Sequence, residues 1–179
     1  MNISHLLLPL LIAATPLAVA TSSPSQYVGQ ESREIKALAP SEVNDLLAGK
    51  GMGLARAAEL NGYPGPMHVL ELSAQLGLTE AQESGTKALY ARMQASAKEL
   101  GARLVAAERA LDSLFRDQRA SQEALDSELA RIGALQAKVR GVHLQAHIEQ
   151  ARLLSPHQLA QYMQLRGYAG GNQHQHHKH

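Results

Sequence analysis

The chain has 179 residues, a length that a single domain of moderate size accounts for. Apolar residues make up 45%, but the aromatic set is only Phe115 and five tyrosines, so Leu, Ala, Val, Ile and Met must build the core, which favours helices over a β-sandwich. A net charge of +1 with no block of one sign speaks against an extended nucleic-acid footprint, and the lack of cysteine excludes disulfide staples, thiolate metal sites and a lipidated N-terminal cysteine.

Residues 1–20, MNISHLLLPLLIAATPLAVA, have the pattern of a secretory signal. An apolar run from Leu6 to Ala14 leads to Ala18-Val19-Ala20, an A-x-A cleavage pattern, although the n-region has only His5 and no Lys or Arg. Pro9, Pro16 and the shortness of the run argue against a membrane-spanning helix. Cleavage is expected after Ala20, and a cysteine-free helical product then fits a bacterial periplasm.

Residues 21–39 are polar and lack a steady period, so they read as a flexible lead-in. Pro40-Ser41 opens a short helix, with Ser41 as the expected N-cap and Val43, Leu46 and Leu47 on its apolar side. Gly49 to Gly53 interrupts it. LARAAELNG is a second short helix closed by Asn61-Gly62, YPGP is a turn, and MHVLELSAQLG is a third short helix.

From Thr79 to about Gln118 there is no proline, and apolar residues recur in steps of three and four: Leu89, Met93, Ala97, Leu100, Leu104, Ala107, Leu111, Leu114. This predicts a long helix of roughly 60 Å packed along its length on a partner. RDQRAS is a turn, and Ser121 can cap a second long helix to about Leu154, with Leu125, Leu129, Ile132, Leu135, Val139, Val142 and Ala146 as its seam. Two long helices with so short a connection are expected to run antiparallel. Gly85, Gly101, Gly133 and Gly141 lie inside them, each destabilising by about 1 kcal/mol relative to Ala, where close helix contact and plain tolerance are both open explanations.

A last helix starts at Ser155, with Pro156 in the first helical position and Gln158 three residues after the cap. Leu154 and Leu159 can close over it as a hydrophobic staple. Leu78, Thr79 and Gln82 repeat the same device at the start of the first long helix. The predicted fold is all-α: a long antiparallel helical hairpin with short N-terminal helices and a short C-terminal helix. It spans residues 40–169, followed by a His-rich tail at 170–179.

Two L-[ST]-x-x-Q segments, Leu78-Thr79…Gln82 and Leu154-Ser155…Gln158, resemble the signature of the LTxxQ family, with Ser replacing Thr in the second. This is the Spy/CpxP-like group of periplasmic proteins, together with zinc-resistance-associated proteins and periplasmic heavy-metal sensors. GKGMGLARAAELNGYPGPMHVLEL and MQLRGYAGG are similar to a metal-sensor branch of that group, so the resemblance covers about Ser41 to Gly170. It implies a helical hairpin, often a cradle-shaped antiparallel homodimer. Members act as ATP-independent chaperones, metal binders or sensors in envelope stress, and the signature itself carries no catalytic residue.

His143 and His147 stand one helical turn apart, a spacing that lets two imidazoles converge on Zn, Ni, Co or Cu. They are expected to flank the apolar seam and to be partly accessible. Two solvated histidines on a wet face remain the other reading. Glu149 lies on another face, whereas Glu108 or Asp112 on the facing helix are possible further ligands. Met67, His68 and Glu71 form a second candidate, against a reading of core filler and surface histidine. His174, His176, His177 and His179 give the tail either a loose capacity for divalent metal or a merely solvating role.

GKGMGLA is no phosphate loop, because it follows a helix and Arg56 stands where a third small residue is needed. No catalytic constellation stands out, so no enzyme activity is expected. The arginines of the long helices are expected mostly to pair with neighbouring carboxylates, or else to hold an unfolded client through guanidinium and stem. The leading functional expectation is a periplasmic metal-binding or sensing protein of envelope stress and heavy-metal resistance. The alternatives are an ATP-independent holdase chaperone and a partner of a membrane-bound stress regulator.

Overall fold

The computed structural model describes residues 23–168. The signal segment and the tail histidines His174, His176, His177 and His179 lie outside the described residues. Residues up to Glu31 belong to one compact unit and those from Ser32 to another. In the first, Ser25 closes a turn, its carbonyl accepting from the Val28 N–H at 3.2 Å. The second unit is all-α among the described residues, with seven helices: α1 Pro40–Leu47, α2 Arg56–Glu59, α3 Pro66–Glu71, α4 Ser73–Leu76, α5 Glu80–Arg116, α6 Gln122–Leu153 and α7 Pro156–Leu165. No helix among the described residues is long and apolar enough to cross a membrane.

The helix starts follow local chemistry. Thr79 caps α5: its hydroxyl accepts from the Gln82 N–H at 3.2 Å, and the Gln82 side-chain oxygen accepts from the Thr79 N–H at 3.0 Å. Ser155 and Gln158 do the same for α7, at 3.2 and 2.9 Å. Ser121 caps α6 by accepting from the Ala124 N–H. The first short helix departs from expectation. Pro40 occupies its first position, so Ala39 rather than Ser41 is the cap, and the Glu42 carboxylate takes the Ala39 N–H at 2.7 Å. The second expected helix shrinks to the single turn of α2. The third breaks at Leu72 into α3 and α4, which lets Val69, Leu72 and Leu76 all pack on Leu154 and Tyr162.

The two glutamines of the capping boxes also bond to each other. Gln82 Nε2 donates to Gln158 Oε1 at 2.8 Å, and Gln158 Nε2 donates to Gln82 Oε1 at 3.0 Å. Gln82 Nε2 further reaches the Leu153 carbonyl at 2.9 Å, and Gln158 Nε2 the Leu76 carbonyl at 3.3 Å. One pair of amides thereby ties together the ends of α4 and α6 and the starts of α5 and α7. Both amides have their donors and acceptors filled, which is what a buried polar pair requires.

The long helices α5 and α6 pack along one another, with polar partners in opposite order: Gln82 with Leu153, Thr86 with Gln150, Arg92 with Glu149. One core cluster gathers Leu104, Val105, Ala107, Ile132, Leu135 and Val139 with Leu46 of α1 and Ile35, the latter from the stretch read as lead-in. A second gathers Val69, Leu76, Leu154 and Tyr162, with Leu78 and Leu159 against it. Leu129, expected in the seam, is 49% exposed. Beyond Val139 the buried stripe of α6 continues through His143, Ala146, His147 and Gln150. A straight helix with about 3.6 residues per turn drifts away from a seven-residue repeat, so the stripe leaves the apolar residues that trace it from sequence.

Gly101 has a steric reason to be glycine. A Cβ there would lie 2.1 Å from the Leu46 carbonyl oxygen, because the end of α1 rests directly on α5. Gly49 follows with φ +66, and its own Cβ position is 3.0 Å from the Gln94 carbonyl oxygen, so this turn presses its backbone onto α5 in a conformation that side chains disfavour. Nothing lies within 4 Å of a Cβ at Gly133 or Gly141. Gly101→Ala is therefore expected to destabilise the protein by about 2 kcal/mol or more, and Gly133→Ala to stabilise it by about 0.5–1 kcal/mol. Urea unfolding midpoints check both; equal effects of the two substitutions would contradict the α1–α5 contact.

Candidate functional site

Between the two core clusters lies a cavity of about 540 Å³. Its wall is made by the Ala48–Gly51 turn after α1, by Gly65, Pro66, Met67 and His68 at the start of α3, by Tyr90, Met93 and Gln94 of α5, and by His143 and His147 of α6. The structure thus brings together three histidines that sequence spacing left in two separate candidates. The helical turn between His143 and His147 puts both rings on one side of α6, and the N-terminal helices fold over that side. Both residues are consequently buried, at 3% and 9% exposure, rather than partly accessible beside the seam.

The two rings are held differently. His147 Nδ1 lies 2.7 Å from the Tyr63 carbonyl oxygen, which can only accept, so Nδ1 carries the proton and Nε2 keeps its lone pair. Glu59 Oε2 stands 3.7 Å from the same Nδ1 and accepts from the Gly65 N–H at 3.2 Å. Gly65 lies against the ring: a Cβ there would sit 3.0 Å from His147 Cε1 and 3.1 Å from Nε2. His143 is the opposite case. Its Nε2 is sealed from solvent and has no hydrogen-bond partner. Burial first, and the neighbouring His147 second, hold its pKa below the ordinary histidine value, which favours the neutral ring with a proton on one nitrogen and a lone pair on the other. His68 turns its Nδ1 to Glu71 Oε2 at 2.7 Å, and that carboxylate is mostly exposed.

Glu59 forms the hub behind His147. Its Oε1 accepts from the Tyr162 hydroxyl at 2.7 Å and the Tyr168 hydroxyl at 3.3 Å, with Arg166 Nε 3.3 Å away. Tyr162 is fully buried, and burial together with the Glu59 carboxylate pushes its pKa far above the usual phenol value, so it remains a donor. A carboxylate and a carbonyl behind an imidazole fix its tautomer and ring orientation, the arrangement found behind metal-ligating histidines.

Other expected ligands are placed elsewhere. Glu108 and Asp112 line a different cavity of about 440 Å³ with Ile35, Lys36, Leu111 and Phe115. They face away from the histidines because their turns of α5 pack on the chain before α1, where Asp112 accepts from the Lys36 N–H at 3.0 Å. Glu149 pairs with Arg92 at 3.2 Å. Arg103, Arg109, Arg116, Arg119 and Arg131 also have carboxylate partners, as the pairing expectation required. Among the described residues no three His, Cys, Asp or Glu side chains are gathered closely enough to hold an ion by themselves. The same wall carries the thioethers of Met67 and Met93, together with Tyr90 and Gln94, where the Gln94 amide donates to the Tyr90 hydroxyl at 3.4 Å. Sequence reading assigned Met93 to the seam and passed over Glu59, Tyr63 and Gly65, whose signal was the run AELNGYPGP. No protein-family model, curated protein or solved structure matches the chain.

The burial of His143 has a pH consequence. The unfolded imidazole takes up its proton near the ordinary value of 6.5, while the folded one resists to lower pH. The unfolded state then binds more protons, so stability contributed by this site is complete above pH 6.5 and falls as the pH drops below it. Denaturation midpoints across that window should fall less steeply in His143→Gln than in the wild type, and an NMR titration should place the His143 midpoint below 6.5. A midpoint above that value would contradict the burial.

Proposed function

We propose that the protein is an exported, periplasmic, non-enzymatic metal-binding or metal-sensing protein of the LTxxQ type, serving envelope stress and heavy-metal resistance. In this reading α5 and α6 are the antiparallel hairpin of that group, and the protein works as a homodimer. The observation that carries the reading is the pair of buried imidazoles, His143 with an orphaned Nε2 and His147 with Nδ1 committed to Tyr63, sharing a cavity with His68. Burying the His143 imidazole with one nitrogen unpartnered costs stability, and binding a transition metal is a chemistry that offsets it. A Zn, Ni, Co or Cu ion is the expected cargo, with His143 and His147 as its histidine ligands and His68 on the same wall.

A holdase chaperone is the second reading, favoured by Phe115 and Leu129, which are 58% and 49% exposed towards the α5–α6 connection. Its mark is suppression of client aggregation without nucleotide or metal.

Titration of the full chain with Zn, Ni, Co and Cu tests the leading reading. Stoichiometric binding is expected, lost in the His143→Ala/His147→Ala double variant and weakened in His68→Ala, whose side chain is partly exposed and whose loss leaves the core intact. Circular dichroism checks that each variant is folded. Binding abolished only by deletion of residues 172–179 would move the site to the tail, and absence of binding would refute the reading.

A further inference from the structure

The same cavity carries a sharper statement about its cargo, which rests on the metal-binding reading above. We propose that it is built for a soft monovalent cation, Cu(I), held by the imidazoles of His143 and His147 and the thioethers of Met67 and Met93.

Three observations lead there. The first is the donor set. The lining residues include two methionines and three histidines but no Asp, Glu or Cys. Imidazole and thioether together are the neutral, soft donors that select Cu(I), whereas the hard divalent cations need oxygen ligands. The two methionines come from different helices, α3 and α5, and the imidazoles from α6, so the donors approach the cavity from separate walls.

The second is charge. The charged residue on the wall is Lys50, a cation, paired outside with Asp45 at 2.7 Å. The carboxylates near these ligands are engaged elsewhere: Glu149 with Arg92, Glu71 with His68, and Glu59, behind His147, with Gly65, Tyr162 and Tyr168. A dication entering this space would meet no carboxylate on the wall itself. The Born cost of desolvating an ion grows with the square of its charge, so a dication is penalised about fourfold more than a monocation of equal size. Zinc sites with neutral ligands alone stay open to water or hydroxide; a mostly apolar pocket supplies that poorly.

The third is the orphaned Nε2 of His143, an unpartnered nitrogen on a residue with only 3% exposure that belongs to this wall. Such a group calls for a partner, and an ion on this wall is one that an imidazole nitrogen can take. His147 is already oriented for the same use, its Nδ1 anchored and its Nε2 against Gly65.

The test uses the full chain with methyl-¹³C methionine and Ag(I), a redox-inert stand-in for Cu(I), alongside Zn(II). The Met67 and Met93 methyl resonances are expected to move on addition of Ag(I), ahead of those of Met52 and Met163. The Met67→Leu/Met93→Leu variant, close to volume-conserving, is expected to fold and to bind Ag(I) about tenfold or more weakly while Zn(II) affinity stays within about twofold. Competition with a Cu(I) chelator under anaerobic conditions should show the same loss. Unmoved Met67 and Met93 resonances, or equal losses for Ag(I) and Zn(II), would overturn the monovalent assignment and leave a histidine site for divalent metal. Failure of every ion to bind would overturn both.

Discussion

The reciprocal amide pair between Gln82 and Gln158 is the constraint from which the rest of the architecture follows. Each glutamine first completes a capping box for its own helix and then spends its remaining donors on the other and on the carbonyls of Leu153 and Leu76. Four helix ends are thereby fixed at one point. With α7 held there, Tyr162 enters the second core cluster fully buried, and its hydroxyl reaches Glu59. With Glu59 held, the loop from Tyr63 to Gly65 lies against the His147 ring. A capping rule that stabilises isolated helices by only about 1 kcal/mol becomes, through this pairing, the device that positions the cavity.

At the other end of the cavity the decisive contact is steric. The carbonyl of Leu46 occupies the space that a side chain at position 101 would need, and Gly49 repeats the close approach a few residues later. These contacts bring the α1 turn over α5 and close the cavity from above. Between a fastened polar end and a close-packed apolar end, α6 carries a layer of His143, His147 and Gln150 where an ordinary bundle would place leucine. Polar groups in that layer are costly unless satisfied, and the unsatisfied His143 nitrogen is why the layer reads as a site and not as packing.

Much of this was legible in the sequence where the rule is local. Both capping boxes, the Ser121 cap and the two long helices are set by residues within a few positions of each other, and they form as expected. Seams were legible only where apolar residues marked them. Past Val139 the buried stripe passes through histidine and glutamine, so His143 and His147 read as flanking when they are enclosed. The partnership of Glu59 with Tyr162 spans 103 residues and leaves no periodic trace. The separation of Glu108 and Asp112 from the histidines depends on the path of the chain around Lys36, which composition does not reveal. Met93 was placed correctly on the inner side of α5, but its role as a cavity donor needed the position of Met67 on α3.

A double-mutant cycle on the clasp tests the central claim most directly. Gln82→Ala, Gln158→Ala and the double variant are compared by urea unfolding, with intact helices verified by circular dichroism. Paired amides should show a coupling of about 1–3 kcal/mol, so that the double variant loses clearly less than the sum of the two single losses. Strictly additive losses would mean that the two glutamines serve only their own helices, and the arrangement of α7, Glu59 and the histidine cavity would need another cause.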